Sequence, residues 1–393
     1  MLARPQTIPE SAALSPVRGV RRIKLADFRS YTTLDLEITS DLVVLTGENG
    51  AGKTNLLEAL SFLCPGRGLR RAELNDCIRT GSGGGWAASV ELHGADGPVQ
   101  LGTGLEPASP ETPQSRKCRI ERAPVASPTA FSEYLRIVWL TPAMDGLFNG
   151  SAGERRRFLD RLVLSVDPSH GARVNAMERA LRNRNRLLEE GMRDARWLDA
   201  AEHEVAELGV AVACARVETV SRLARLIEAE RDAEALFPWA AVALEGQIER
   251  LAAEHPALVA EDRYRALLHA NRARDAQAGR TLIGPQTADL AVRHGPKDIE
   301  AARASTGEQK ALVVGLVLAH ARLVAAMSGL APLVLLDEIA AHFDVVRRTA
   351  LYETLGALGS QVFMSGADAG AFADLNGRAQ MLRVAQGRVS GIG

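Results

Sequence analysis

Gly47-Glu48-Asn49-Gly50-Ala51-Gly52-Lys53-Thr54 is the stretch whose reading decides the fold. It fits G-x-x-x-x-G-K-[ST], a loop that wraps backbone N–H groups around nucleotide phosphates. Upstream, Asp41-Leu-Val-Val-Leu-Thr46 is a short apolar run that reads as a buried strand. Downstream, Asn55-Leu-Leu-Glu-Ala-Leu60 opens a helical pattern. Strand, glycine loop and helix in that order set an anion against a helix N-terminus. The expected cradle is Gly47, Glu48, Asn49, Gly50, Ala51, Gly52, Lys53, Thr54 and Asn55, with ATP as its ligand. Within it Lys53 reaches the β- and γ-phosphates as a catalytic group, and Thr54 puts its hydroxyl on Mg²⁺. A glycine-rich turn before a helix is the plain alternative, and the flanking strand and helix weigh against it.

The chain has 393 residues, enough for two or three lobes around a sizeable core. Hydrophobic residues make up 46% and charged residues 24%, the ordinary range for a globular protein. A formal net charge of −1 gives no overall attraction to polyanions, so a nucleic-acid site has to be a local patch. Cys64, Cys77, Cys118 and Cys214 show no C-x-x-C pair and no metal spacing, and read as reduced thiols of a cytoplasmic protein. No run of 18 apolar residues points to a membrane partner. Residues 1–18 carry prolines and serines without an apolar segment, and read as a flexible tail rather than a signal peptide.

Alternation over Arg21–Phe28 and Thr33–Ile38 predicts half-buried strands. Trp86–Leu92 and Leu135–Leu140 add two more, with a loop or ragged hairpin over 105–130 between them. From about Glu154 to Asp275 the composition shifts to Ala, Arg, Glu and Leu at helical spacing, broken at Pro238 and Pro256. No heptad lasts long enough for an extended coiled coil, so this insertion reads as a compact arm of packed helices. Strand-like and loop segments return at Thr281–Pro285 and Asp289–Arg293. A long helix, the apolar strand Leu333–Leu336, a further helix and the strand Gln361–Met364 follow. The expected fold is α/β, a head built from residues 19–150 and 276–393 with an all-helical arm inserted at 151–275.

Leu333-Val-Leu-Leu-Asp337-Glu338 completes the phosphate loop. Asp337 at the strand end is expected to share Mg²⁺ with Thr54, and Glu338 to orient the attacking water. Ser305-Thr306-Gly307-Glu308-Gln309-Lys310 precedes an apolar helix, and Ser305 with Glu308 forms a capping box. The same open helix tip suits a γ-phosphate. In the ATP-binding-cassette class, a signature of this form caps the ATP held by the opposite subunit. Asp344 suits a loop at a dimer seam beside that nucleotide; Ser365 sits where such ATPases keep a γ-phosphate sensor, with a plain strand-end turn as the equal alternative. The phosphate loop and the signature stand about 250 residues apart. That gap, filled by helices, matches the split heads of chromosome and repair ATPases rather than transporter subunits.

The chain resembles the RecF family of bacterial recombination mediator ATPases from about Arg21 to its C-terminus. The resemblance is carried by Gly47–Asn55, by Gly66-Arg-Gly-Leu-Arg70, and by Thr141-Pro142 with Gly153-Glu-Arg-Arg-Arg-Phe-Leu-Asp160. Arg184-Asn-Arg-Leu-Leu188, Ser305–Lys310 and Leu336-Asp-Glu338 with Asp344 add to it. The chain departs from the family pattern at three places. Ala143 stands where an acid follows Thr-Pro, His342-Phe343-Asp344 replaces Glu-Leu-Asp, and Gln286 and Thr287 replace a histidine and a basic residue. The resemblance implies an ATP-binding-cassette head that dimerises on ATP and binds double-stranded DNA near junctions with single strands. It also implies slow, timer-like, DNA-dependent ATP hydrolysis, a part in recombinase loading during repair and replication restart, and RecR and RecO as partners. An ABC subunit coupled to transport and a nucleotide-bound, non-catalytic DNA scaffold are the alternatives.

From Glu154 to Arg186 nine arginines stand against four acids. A basic run at the root of an arm suits DNA phosphates, and Arg155, Arg156, Arg157, Arg182, Arg184 and Arg186 are the candidates. A solvated helix face with arginines paired to acids is the alternative. Arg67, Arg70 and Arg71 face DNA, the nucleotide or merely a helix end. No aromatic residues interleave with the basic ones, which argues against a single-strand stacking platform.

Overall fold

The computed structural model describes residues 19–94, 97–109, 114–191, 195–231, 236–339 and 343–392. The tail read at 1–18 and the departure at His342 lie outside them. The central sheet runs, in spatial order, through Arg388–Gly391, Gln380–Ala385, Leu42–Thr46, Val362–Gly366, Leu333–Leu336 and Ile137–Leu140. All are parallel except the edge strand Arg388–Gly391. Every residue of Leu42–Thr46, Leu333–Leu336, Val362–Gly366 and Ile137–Leu140 is buried. That explains why these segments read as unbroken apolar runs: both faces of the sheet are covered. Strands from the two ends of the chain interleave. Leu42–Thr46 lies between Val362–Gly366 and Gln380–Ala385, and Ile137–Leu140 pairs with Leu333–Leu336.

A second, antiparallel sheet follows the order Tyr31–Glu37, Gly19–Phe28, Trp86–Gly94, Gly97–Leu105, Arg116–Ile120 and Ala123–Val125. The stretch read as a ragged hairpin at 105–130 therefore supplies two strands. Two glutamines staple this sheet to the first. Gln361 accepts from Val20 N–H at 2.8 Å and donates to Val20 O at 2.9 Å. Gln380 accepts from Thr39 N–H and donates to Glu37 O, both at 2.9 Å.

The arm contains the helices Ala152–Val166, His170–Glu189, Ala195–Ala229, Gln247–Glu254, Ala257–Ala270 and Arg272–Ala278. Met177, Val205, Val210, Ile248, Tyr264 and Leu268 form a core of its own. Phe158, Leu159, Leu162 and Val163 of the first helix pack into the head core instead, so this helix is the root on which the arm stands. One strand, Ala240–Glu245, interrupts the stretch read as helical. It pairs in full register with Asp289–His294, which also pairs with Ile299–Glu300. The partner lies some 45 residues further on, so pairing rather than local propensity makes it a strand.

The helix Thr306–Ser328 is long and apolar enough to cross a bilayer by length and composition, with a mean hydropathy of 1.9 in its most apolar window. Here 67% of that window is buried inside the head.

Candidate phosphate-binding site

The phosphate loop leaves the sheet at Thr46 and enters the helix Lys53–Ser61. Its bend depends on glycine. Gly47 has φ 148°, and a Cβ there would sit 2.2 Å from Val384 O. Gly52 has φ 116°, and a Cβ there would press on Ser30 Oγ at 2.8 Å. Gly52 caps the helix without a side-chain hydrogen bond, so the first-turn N–H groups keep no side-chain acceptor and are available to an anion. Glu48, Asn49 and Gly50 are exposed at the loop tip. Tyr31 OH donates to Gly52 O at 3.0 Å, and Gly387 N–H donates to Ala51 O at 3.2 Å, bracing the loop from both sheets. Lys53 is buried, and its ammonium donates to Gly47 O at 2.6 Å and Glu48 O at 2.9 Å.

The strand end at Leu336 brings Asp337 to this loop. Thr54 Oγ1 donates to Asp337 Oδ1 at 2.9 Å. A hydroxyl and a carboxylate that close suit Mg²⁺ held jointly with substrate phosphates, since that ion favours hard oxygens and few protein ligands. Among the described residues no three His, Cys, Asp or Glu side chains gather as a metal cage. Thr54 and Asp337 would therefore be its protein ligands. Glu338 follows in the left-handed region at φ 52°, which for a non-glycine residue costs on the order of 1 kcal/mol or more. Its carboxylate has no hydrogen-bond partner or ion pair among the described residues. Ser365, expected as a γ-phosphate sensor, is fully buried, and its hydroxyl proton is committed to Asp337 Oδ1 at 2.6 Å. That is a correction: the adjacent strand carries this side chain into the sheet edge, where the nearest acceptor is the carboxylate.

Asn55, placed in the cradle by the motif, donates to Ser30 Oγ and accepts from Arg70 Nη1, both at 2.9 Å. Arg70 also approaches Glu58 at 3.4 Å. Glu58 is fully buried and takes a two-pronged contact from Arg29 at 2.9 Å on each oxygen. Nothing in the sequence around Glu58 announces this network, because its partners come from two other segments.

The signature lies at the tip of the helix Thr306–Ser328 with its capping box intact. Ser305 N–H donates to Glu308 Oε2 at 3.0 Å, and Glu308 N–H to Ser305 Oγ at 3.4 Å. Lys297 sits 2.6 Å from Glu308. That contact, with the Ser305 hydrogen bonds, holds the Glu308 carboxyl down at about 2. Ser305, Thr306 and Gly307 are exposed. No hydrogen bond or ion pair among the described residues joins them to residues 47–55. The helix is about 34 Å long at 1.5 Å per residue, and its other end leads into Leu333–Leu336. Gln309 and Lys310 anchor the first turn to the segment after Thr141-Pro142, through Asn149 at 2.9 Å and Asp145 at 3.3 Å. Asp344 caps the helix Val345–Ala357 by accepting from Arg347 N–H at 2.9 Å, with an exposed side chain.

The arginine run divides into two sets. Arg184 is fully buried and bound to Glu202, Asp275, Thr281 and Leu268 O, so it belongs to the arm's interior and cannot touch DNA. Arg155 forks onto Asp289 at 2.8 and 2.6 Å, and Arg156 donates to Ala288 O at 2.7 Å. They rivet the arm root to the strand that leads towards the signature, while Asp160, bound to Arg216 and His170, ties the root to the next two arm helices. Arg184 is thus corrected to a structural role, while Arg155 and Arg156 are half-buried and engaged at the arm root; the acid partners Glu202 and Asp289 lie 18 and 134 residues away, out of reach of a charge count. Arg182 and Arg186 are exposed, at 3.9 Å from Glu178 and Glu190. Arg157 is exposed and has no ion pair among the described residues. Arg71 is also exposed and unpaired; partial burial and the charges of Arg157 and Arg67 hold it below its ordinary value. Beneath them burial, aided by Arg71, pushes Arg161 down to about 9. The replaced family positions close their own turn: Gln286 donates to Thr281 O and Ile283 O, and Thr287 to Gly284 O.

Residues 19–390 match the family model of the RecF/RecN/SMC N-terminal domain. The chain is 54% identical over 370 residues to the DNA replication and repair protein RecF of Rhizobium meliloti (strain 1021), covering 94% of this chain and 98% of that one. It is 54% identical over 371 residues to the protein of the same name from Allorhizobium ampelinum, covering 94% and 98%. Among solved structures, the recombination mediator protein RecF-ATPrS in the RecFOR pathway superposes with a TM-score of 0.81 at 17% identity, covering 95% of this chain and 98% of that one. The Smc head domain from Pyrococcus furiosus does so at 0.52 and 16% identity, covering 95% of each chain. The fold is thus that of an ABC-type ATPase head of the SMC kind, and the chain belongs to the RecF family.

Proposed function

We propose that ATP closes two copies of this chain into a dimer that grips double-stranded DNA near junctions with single strands, and that slow hydrolysis reopens it. Each copy offers Ser305, Thr306 and Gly307 to the γ-phosphate held in the other's cradle, with Asp344 at the seam. The observation that carries this reading is the exposed, capped signature tip, unconnected to its own phosphate loop. A helix N-terminus exposed in that way suits a phosphate that only a second molecule can bring. Mg²⁺ on Thr54 and Asp337 would add positive charge at the phosphates, and Glu338, with its carboxylate unpartnered, would orient the attacking water. The relatives' name, a DNA replication and repair protein, supports a role in repair; within it the dimer would act as a timer for recombinase loading, with RecR- and RecO-type partners. Light scattering with ADP, ATP and a non-hydrolysable analogue, each with and without duplex DNA, tests it. The expected result is a dimer only with the triphosphates; a monomer at saturating ATP and duplex would end the proposal.

The DNA face is drawn to Arg157 and Arg71, exposed and with no ion pair among the described residues, and to Arg182 and Arg186 on the next helix. Arg157→Ala and Arg71→Ala should each weaken duplex binding equally for all sequences and flatten its salt dependence by about one unit of slope. Fluorescence anisotropy over a salt series reads both effects. An unchanged slope in the double variant would remove these residues from the DNA face.

A further inference from the structure

Asp337 Oδ1 accepts two hydrogen bonds, from Thr54 Oγ1 at 2.9 Å and from Ser365 Oγ at 2.6 Å. The Ser365 oxygen in turn accepts from Glu338 N–H at 3.0 Å. One fully buried hydroxyl thus joins the carboxylate of the metal-side acid to the backbone of the water-side acid. Glu338 stands there in a conformation that few non-glycine residues hold without outside support, φ 52°. Thr54 would offer Mg²⁺ an oxygen lone pair while its proton stays on Asp337 Oδ1, so the hydrogen bonds from Thr54 and Ser365 would both help to orient that carboxylate.

We propose that Ser365 is a positioning residue: its hydroxyl keeps Asp337 aimed at the metal and holds the Glu338 backbone in the turn that presents its carboxylate to water. It touches no phosphate itself, because its proton is already donated to Asp337. The geometric part concerns the protein without nucleotide; the catalytic part rests on the ATPase reading above.

Two measurements separate these parts. In the nucleotide-free protein, Ser365→Ala removes the acceptor of the Glu338 amide, whose hydrogen exchange should quicken by about tenfold or more. With nucleotide, Ser365→Ala should bind ATP within about twofold of the parent and lose about tenfold or more in kcat, with half-maximal turnover shifted to higher Mg²⁺. Ser365→Thr keeps the hydroxyl and should restore Glu338 protection and most of the turnover. Unchanged exchange at Glu338 in Ser365→Ala would overturn the clamp. So would parental turnover in that variant, or a loss of ATP binding with kcat retained, which would mark Ser365 as a phosphate contact. Loss of Glu338 protection in Ser365→Ala, beside a parent protein that hydrolyses no ATP, would sink the ATPase reading and leave the clamp standing.

Discussion

Replacing Glu338 by glutamine should slow ATP turnover by about two to four orders of magnitude, the usual contribution of a positioned general base. The ATP-bound, DNA-gripping dimer should accumulate instead. The substitution keeps the size of the side chain and leaves the backbone contact to Ser365 in place, so the turn at φ 52° has no reason to relax. What disappears is the carboxylate after Asp337, which no neighbour among the described residues binds. Lys53→Ala should act at an earlier step. Its ammonium lies inside the loop, 2.6 Å from Gly47 O and 2.9 Å from Glu48 O, so a small rearrangement delivers it to a phosphate. Losing a charged hydrogen bond of about 1.5–3 kcal/mol should weaken ATP binding by roughly ten- to hundredfold, and with it dimerisation. Nucleotide titration and light scattering on the two variants give the split. A Glu338→Gln protein that stays monomeric at saturating ATP, or a Lys53→Ala protein that dimerises as the parent does, would refute the clamp.

Arg184→Ala should destabilise the arm by about 3–5 kcal/mol, the cost of leaving buried acids without their partner. Arg184 lies at 3.1 Å from Glu202 and 2.8 Å from Asp275, and all three side chains are buried. Arg272 would still hold Glu202 at 2.6 Å, but among the described residues Asp275 would keep only the Leu282 N–H at 3.1 Å. Arg182→Ala, two residues earlier and facing Glu178 at 3.9 Å in solvent, should change stability by less than about 0.5 kcal/mol. Denaturant unfolding of the two variants compares them directly. A loss under about 1 kcal/mol for Arg184→Ala would show that this network is not what holds the arm together.

Motifs whose physics is local were legible in the residues alone. Gly47–Thr54 names its own loop, because backbone N–H groups and a helix start need only consecutive residues. Ser305 and Glu308 cap one another three residues apart. The unbroken apolar runs at 42–46 and 333–336 announced a sheet covered on both faces. The arm's own arginines were the opposite case. Charge counting placed Arg155, Arg156 and Arg184 together as one basic run, yet each meets an acceptor from a distant segment, Asp289, Ala288 or Asp275. Arg157, between them, meets none among the described residues.

The sequence by itself determined the family, the strand, loop and helix around Gly47–Thr54 and the apolar strand that ends at Asp337 and Glu338, since these rest on short-range order along one strand, loop or helix. Only the tertiary structure decided that Ala240–Glu245 is a strand, that Ser365 faces Asp337 rather than solvent, and which arginines keep a free charge. Each of those depends on a partner brought in from far along the chain, and burial beside that partner fixes what a polar side chain can bind.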